Sequence, residues 1–403
     1  MVSEVRFEKL VYGGDALARV DGQVLLAPYA LPEESAKVEI AGRSKGVLRG
    51  KLVDLVEASP RRAEPGCRYF GRCGGCQYQH AGYEYQLEQK REILRETLRR
   101  TGRIEAPDDI AIVSGEPWQY RNRVQLHFYG GSIGYHEAGT HRVIDIEECP
   151  ISSPRINMAI QSVRAMMRDR RWPRFLSSME LFTNEREVQV NVLDSGERRL
   201  QRSFFVWCEE SMSGATSPAL EYAACGFIYR VSHKSFFQVN RFLIERLVET
   251  ALDGASGEHA IDLYAGVGLF SLPLAQRCAS VTAIESNALA VGDLGHNAQR
   301  AGAAVQALRT SAELHLESIG PGPDFLLADP PRAGLGPGVV KHILRLAPRQ
   351  VTVVSCDPAT LARDLSVLLG GGYRFDKLTL VDLFPQTCHI ESVAVLRRGA
   401  TNL

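Results

Sequence analysis

The sequence of 403 residues has no excess of either charge, since 47 Lys and Arg stand against 47 Asp and Glu. The global positive field of a DNA-coating protein is thereby excluded, and any contact with a polyanion must use local patches. No apolar run approaches the length of a membrane span. The amino terminus carries Glu4, Arg6 and Lys9 where a secretory leader needs an apolar stretch. A cytoplasmic protein without a membrane partner is expected. The cysteines number nine, an odd count, and Cys225, Cys278 and Cys388 each sit alone in apolar surroundings. That argues against a disulfide framework and for reduced thiols. Internal repeats and low-complexity segments are also missing.

What is present is enough chain for two or three cores. Residues 1–60 show short alternating runs punctuated by Gly13-Gly14, Asp21-Gly22 and Pro32, which read as strands and tight turns of a small β-barrel. Residues 61–225 hold a cysteine cluster and a helical run from Tyr83 to Arg100 with Gly102 as its stop signal. A mixture of strands and a helix over 154–170 then predicts an α+β central domain. The run at 83–100 can pack on the last domain. Over 226–403, strands and helices alternate in the manner of a doubly wound, Rossmann-like α/β domain. Two basic patches stand out, Arg95, Arg99, Arg100 and Arg103, then Arg164, Arg168, Arg170, Arg171 and Arg174. Each reads first as a solvated helix face and second as an RNA contact.

In a doubly wound sheet, ligands bind beyond the carboxyl ends of the strands. The first such end is Asp262-Leu-Tyr-Ala-Gly-Val-Gly-Leu-Phe, where Gly266 and Gly268 remove side chains at a helix start. The next strand closes on Glu285, whose carboxylate can accept from ribose hydroxyls. Those two features suit any nucleoside binder. The third, Asp329 in Ala328-Asp-Pro-Pro-Arg, is foreign to dehydrogenases, and the glycine turn lacks the third glycine of a dinucleotide fingerprint. Together the three favour S-adenosylmethionine. Cys356 ends the following strand in Val351-Thr-Val-Val-Ser-Cys-Asp-Pro, at the same rim. A cysteine there suits methylation at carbon 5 of uracil, a carbon too weakly nucleophilic to react until a thiolate has added to carbon 6. Such a thiol needs a lowered pKa, which Arg332 or the turn at Asp357-Pro358 could supply. The subsequent loss of the carbon-5 hydrogen needs a base. Glu391 and His389 are the candidates, and spacing alone does not choose.

Cys67, Cys73 and Cys76 are separated by five and two residues. They suit one metal centre, zinc or a cubane iron–sulfur cluster, with a fourth ligand still to be found. A radical S-adenosylmethionine enzyme would space its first two cysteines more closely.

Several of these strings carry a resemblance. Ser355-Cys-Asp-Pro with Leu361-Ala-Arg-Asp-Leu, followed by Phe384-Pro-Gln-Thr-x-His-x-Glu, closely resembles the uracil-5 RNA methyltransferase family. The resemblance implies that Cys356 is the nucleophile and Glu391 the base, and that Gln238 in Ser235-Phe-Phe-Gln-Val-Asn and Tyr264 lie against the cofactor. The string Cys67-x5-Cys-x2-Cys-Gln resembles the family's motif for a [4Fe-4S] cluster, which implies Cys149, before Pro150, as fourth ligand. The run Phe7-Glu-Lys-Leu-Val-Tyr-Gly-Gly-Asp-Ala-Leu-Ala-Arg-Val resembles a TRAM domain, an RNA-binding barrel of the OB type. The resemblance implies a monomer acting on RNA, with 23S ribosomal RNA favoured over the T-loop uridine of tRNA. The competing readings are an RNA cytosine-5 methyltransferase, which would carry a second cysteine where Arg332 stands, and a non-catalytic RNA-binding iron–sulfur scaffold.

Overall fold

The computed structural model describes residues 2–212, 219–320 and 322–399. Its first sheet has six strands in the order Val2–Arg6, Ser35–Ser44, Val47–Glu57, Gln23–Pro28, Asp15–Val20 and Lys9–Leu10. Alternation along these strands buries Ala16, Ala18, Leu25, Ala27, Ala36 and Val38. Register shifts in the long ladder between Ser35–Ser44 and Val47–Glu57 curl the sheet. The edge strands Val2–Arg6 and Lys9–Leu10 share no ladder among the described residues, so the expected barrel is a half-barrel. Its core is continuous with Leu94, Leu98, Leu361 and Ile390, which belong to distant parts of the chain.

A second, antiparallel sheet runs Val143–Asp145, Ser132–His136, Arg123–Tyr129, Ser178–Thr183, Val188–Asp194. The helices Pro154–Met166 and Arg202–Met212 cover one of its faces with Ile156, Ile160, Val163, Phe204 and Trp207. Ser153 starts the first of them by accepting from the Ile156 amide, and Pro154 occupies the first turn, where no amide donor is needed. A hairpin of Ala219–Ala224 and Phe227–Ser232 follows.

The largest sheet has eight strands. Val305–Arg309, Cys278–Glu285, Gly257–Leu263, Phe325–Ala328 and Gln350–Ser355 run parallel. The last strand, Glu391–Arg398, then inserts antiparallel between Gln350–Ser355 and Tyr373–Val381. Ala111–Val113, far earlier in the chain, closes the edge parallel to Tyr373–Val381. The five parallel strands follow the doubly wound expectation, and the antiparallel insertion and the borrowed edge strand make the sheet mixed. Strand order reverses at Gly257–Leu263, whose neighbours lead away in opposite directions, so a crevice opens at its carboxyl end.

The helix Tyr83–Thr97 lies against this sheet rather than apart from it. Its end turns at Gly102, where a Cβ would stand 2.7 Å from the Ala362 carbonyl oxygen, so only glycine allows the approach to the helix Pro358–Gly370. Lys90, which the sequence pattern groups with the helix's charged face, is fully buried. Its Nζ lies 2.6 Å from Asp382 Oδ1 and 2.9 Å from the Phe384 carbonyl, while Tyr83 donates to Asp382 Oδ2 at 3.0 Å. The two ionised side chains are 0% and 1% exposed.

Removing one partner of a buried pair leaves the other charge uncompensated. Lys90→Met is therefore expected to destabilise the protein by about 3–5 kcal/mol. The measurement is the urea unfolding midpoint, and Lys90→Met/Asp382→Leu should recover a substantial part of the loss. A single variant as stable as the parent would show that the pair does not hold the helix to the sheet.

Candidate active site and cysteine cavity

Register alone brings the rim residues together. Leu263 pairs with Ala328 and Ala328 with Val353, so Tyr264, Asp329 and the 355–357 turn emerge side by side. The antiparallel last strand pairs Ser392 with Ser355, which puts Glu391, at its amino end, beside Cys356. A strand running backwards thus delivers its first residue to the rim where the parallel strands deliver their last. Cys356 is partly exposed and Glu391 is buried. Gln238 reaches the same place, with Nε2 3.4 Å from Asp329 Oδ2.

The electrostatics of this rim are dominated by loss of water. Burial, with the carboxylates of Glu391 and Asp329 adding to it, pushes the Cys356 thiol up to about 11, and Arg332 opposes the shift only partly. The expectation of a thiol lowered by Arg332 or by the turn is therefore corrected: Arg332 acts in the anticipated direction, but desolvation wins. Desolvation raises Asp329, and Glu391 is raised by desolvation and by repulsion from Asp329. Two carboxyls in one dry site cannot both ionise cheaply. His389, the other candidate base, is held down to about 4 by burial and by Arg332, Arg121 and Lys90. It is neutral at pH 7, with its ring 5.5 Å from that of Phe384.

Beyond Tyr264 lies a pocket of about 210 Å³ lined by Tyr264, Ile284, Glu285, Ser311, Glu313 and Leu335. Glu285 Oε2 accepts from the Gly266 amide at 3.0 Å and Oε1 from the Asn287 amide at 2.7 Å. These bonds fix the carboxylate against the glycine turn. Tyr264 itself has φ 61°, an uncommon backbone state for a bulky residue that aims it along the rim. The two glycines do different things. Open space lies over Gly266, whereas a Cβ at Gly268 would meet Leu294 Cδ1 at 2.5 Å, so Gly268 lets the helix Ala288–Ala301 pack closely.

The segment 382–390 that leads into Glu391 is held from several directions. Besides Lys90 and Tyr83, Tyr120 donates to the Pro385 carbonyl at 3.0 Å and Asn240 Nδ2 to the Leu383 carbonyl at 3.1 Å. The Gln86 side chain makes two bonds with Gln386, one to its side chain at 2.9 Å and one from its amide at 3.0 Å. The opposite side of the rim is reached by the half-barrel, where the Tyr12 hydroxyl donates to Asp357 Oδ2 at 3.3 Å.

Cys67, Cys73, Cys76 and Cys149 all line one cavity of about 420 Å³, with Tyr69, Phe70, Tyr135 and Ile146 among its apolar walls. Burial pushes Cys73 up to about 11 and Cys76 up to about 12, and in both the neighbouring cysteines add to the shift. Among the described residues, no group of three or more His, Cys, Asp or Glu side chains converges closely enough to hold a single metal ion. The four thiols surround a volume rather than a point. In the two basic patches, Arg95, Arg100, Arg164 and Arg171 are engaged by Glu92, Glu96, Asp145 and Asp169.

Several contributors went unread in the sequence. Asp262 is fully buried, raised to about 7 chiefly by desolvation, and bonded through one oxygen to Ser271, while its Oδ1 has no partner among the described residues. Its place at the end of an apolar strand, in the string already singled out for its glycines, is the signal that could have found it. Tyr12, Gln86, Lys90 and Tyr120 carry no local signal, because their partners lie hundreds of residues away.

The profile of the tRNA (Uracil-5-)-methyltransferase family matches residues 216–399. An RNA methyltransferase of Halalkalibacterium halodurans is 34% identical, covering 98% of this chain and 96% of its own. The 23S rRNA (uracil(1939)-C(5))-methyltransferase RlmD of Pectobacterium atrosepticum is 32% identical, over 95% and 90% of the two chains. The crystal structure of Pyrococcus abyssi tRNA (uracil-54, C5)-methyltransferase in complex with S-adenosyl-L-homocysteine aligns with a TM-score of 0.77 and 27% identity, covering 97% of this chain and 99% of that one. Matched along almost its entire length, and with a thiol and a carboxyl brought side by side at the rim of its large sheet, the chain belongs to the family of S-adenosylmethionine-dependent RNA (uracil-5-)methyltransferases.

Proposed function

We propose that this enzyme methylates a uridine of 23S ribosomal RNA, with Cys356 as nucleophile and Glu391 as base. The single observation that carries the assignment of roles is the register that sets Glu391, first residue of an antiparallel strand, beside Cys356. S-adenosylmethionine supplies an electrophilic methyl group. Around it, Glu285 would accept from the ribose hydroxyls, the open face of Gly266 would admit the ligand to the backbone, and Tyr264, Gln238 and Asp329 would line the approach to the rim. Cys356 Sγ, as thiolate, adds to carbon 6 of the uracil, and the displaced electron pair makes an enolate through carbon 5. Carbon 5 takes the methyl group as the methyl–sulfur bond of the donor breaks, its electron pair staying on sulfur so that neutral S-adenosylhomocysteine leaves. Glu391 then accepts the hydrogen of carbon 5 as a proton, the returning electron pair rebuilds the double bond, and the bond from Sγ to carbon 6 breaks.

Cys67, Cys73, Cys76 and Cys149 fit a [4Fe-4S] cluster. Support comes from the donor set and its spacing: four thiols around a cavity suit a multi-atom core, where a zinc ion needs donors that converge. A cationic core would also relieve the unfavourable environment that burial and mutual repulsion create for their thiolates. The cluster would order the loop around Cys67–Cys76 and is not consumed. The half-barrel is read as the TRAM-like element that grips RNA. The ribosomal target is favoured by the relatives named RlmD, and the tRNA reading by the Pyrococcus enzyme.

Cys356→Ala is expected to abolish transfer while retaining S-adenosylhomocysteine binding by calorimetry, and Glu391→Gln to trap a methylated covalent adduct with RNA visible on denaturing gels. Full turnover by Cys356→Ala would sink the mechanism. The pH dependence has a definite sign. Thiol and base both have raised pKa values, and both must be deprotonated to act, so activity grows as protons leave. Below the thiol's value, its ionised fraction rises about tenfold per pH unit, so kcat/KM should climb from about pH 6 to about pH 9. A profile flat above neutrality would mean that the thiolate is already formed in the free enzyme. Mass analysis of 5-methyluridine in 23S rRNA and tRNA from cells lacking the gene separates the two targets. Loss from 23S rRNA alone is expected, and loss from tRNA alone would move the target without touching the chemistry.

A further inference from the structure

The cysteine loop and the loop that presents Glu391 are in direct contact, and one residue, Gln77, makes two of the three hydrogen bonds described between them. Gln77 follows Cys76 immediately. Its Oε1 accepts from the Cys388 amide at 3.1 Å, and its Nε2 donates back to the Gly74 carbonyl, inside the cysteine loop, at 2.8 Å. The amides of Gln77 and Tyr78 both donate to the Gln386 carbonyl at 3.0 Å. Space around Gln77 is closed by the half-barrel, since a Cβ on Gly14 would come within 2.9 Å of Gln77 Cβ and 3.3 Å of Cys388 Cβ.

On the other side, Gln386 is gripped by Gln86 and held at φ 69°, a left-handed state that a side chain rarely adopts. A backbone in that state persists only where its surroundings over-determine it. Gln386 and Cys388 lie five and three positions before Glu391. The Cys388 amide is thus one of the anchors closest to Glu391 in the segment that leads into the last strand, and it is the one whose acceptor comes from the cysteine loop.

We propose that Gln77 is a positioning residue for the proton-abstraction step: by joining the Gly74 carbonyl to the Cys388 amide, it makes the placement of Glu391 depend on the folded state of the cysteine loop. The inference rests on the reading of Glu391 as the base. It gives the cysteine loop a part in the timing of the reaction that requires no electron transfer. The oxygen of Gln77 faces the catalytic segment and its nitrogen faces the cysteines, so the two arms can be cut separately.

The test compares Gln77→Ala, Gln77→Glu and Glu391→Gln as full-length, iron-loaded proteins. Each is assayed for the fraction of enzyme trapped as methylated RNA adduct, for S-adenosylhomocysteine affinity, and for iron content with its visible absorption. Gln77→Ala loses the acceptor for Cys388 and should slow release of product about tenfold, the equivalent of one buried hydrogen bond, so that adduct accumulates while S-adenosylhomocysteine affinity stays unchanged. Gln77→Glu keeps that acceptor and should restore release, while losing the donor to Gly74 and with it some of its iron on dilution. Adduct build-up in Glu391→Gln but not in Gln77→Ala overturns the role of Gln77 alone. Failure of Gln77→Glu to restore release in protein that retains iron does the same. Normal turnover by Glu391→Gln removes the base assignment, and this proposal with it.

Discussion

The buried ion pair of Lys90 and Asp382 is the contact on which the catalytic geometry hangs. Two opposite charges at 2.6 Å, both out of water, form a costly arrangement unless every remaining valence is satisfied. Here part of that requirement is met by groups that matter: Tyr83 donates to the other oxygen of Asp382, and the Phe384 carbonyl takes a second donor of Lys90. The helix Tyr83–Thr97 is thereby locked onto the turn that opens the segment before Glu391. From that fixed point the segment is secured in sequence by Asn240, Tyr120, Gln86 and Gln77. Glu391 is held by residues that precede the large sheet's main body, and Cys356 by the sheet itself.

The rim those contacts create is short of positive charge. Cys356, Asp329, Glu391 and Asp262 all have burial as the first cause of their raised pKa values, and Arg332 is the cation that opposes the shift at the thiol. Left alone, such a site keeps its protons. A sulfonium ion is the complement it calls for, since a positive centre at the rim would favour both the thiolate and the carboxylate. A bound sulfonium donor would therefore favour the ionised form of Cys356 through the same electrostatics.

Much of the large sheet was legible because each parallel strand is a short apolar run ended by a polar or glycine signal: Asp262 to Gly268, Glu285, Asp329 and Cys356. Periodicity and punctuation are local properties, and these strands are local objects. Ala111–Val113 was not legible, because a strand of three residues has no period to read and its partner lies at Tyr373–Val381. Lys90 is hidden for a related reason. Its spacing on the helix marks it as one charge among several, and only the distant Asp382 turns that position inward. The cysteines show the mixed case. Motif spacing grouped Cys67, Cys73 and Cys76, while Cys149 depended on resemblance, since no periodicity connects it to the loop.

The separation of Lys90 from Asp382 along the chain, 292 positions, bears on how the protein is made. A ribosome adding about 5–20 residues per second needs roughly 15–60 s to travel from one to the other. For that interval, Lys90 has no counter-ion to enter the interior with, and the edge position that Ala111–Val113 will fill does not yet exist. The helix and the cysteine loop beside it must wait in a partly solvated state while the sheet is synthesised. Assembly of this half therefore waits until Asp382 has been made, and the window before it is when the cysteines of the loop are most open to solvent.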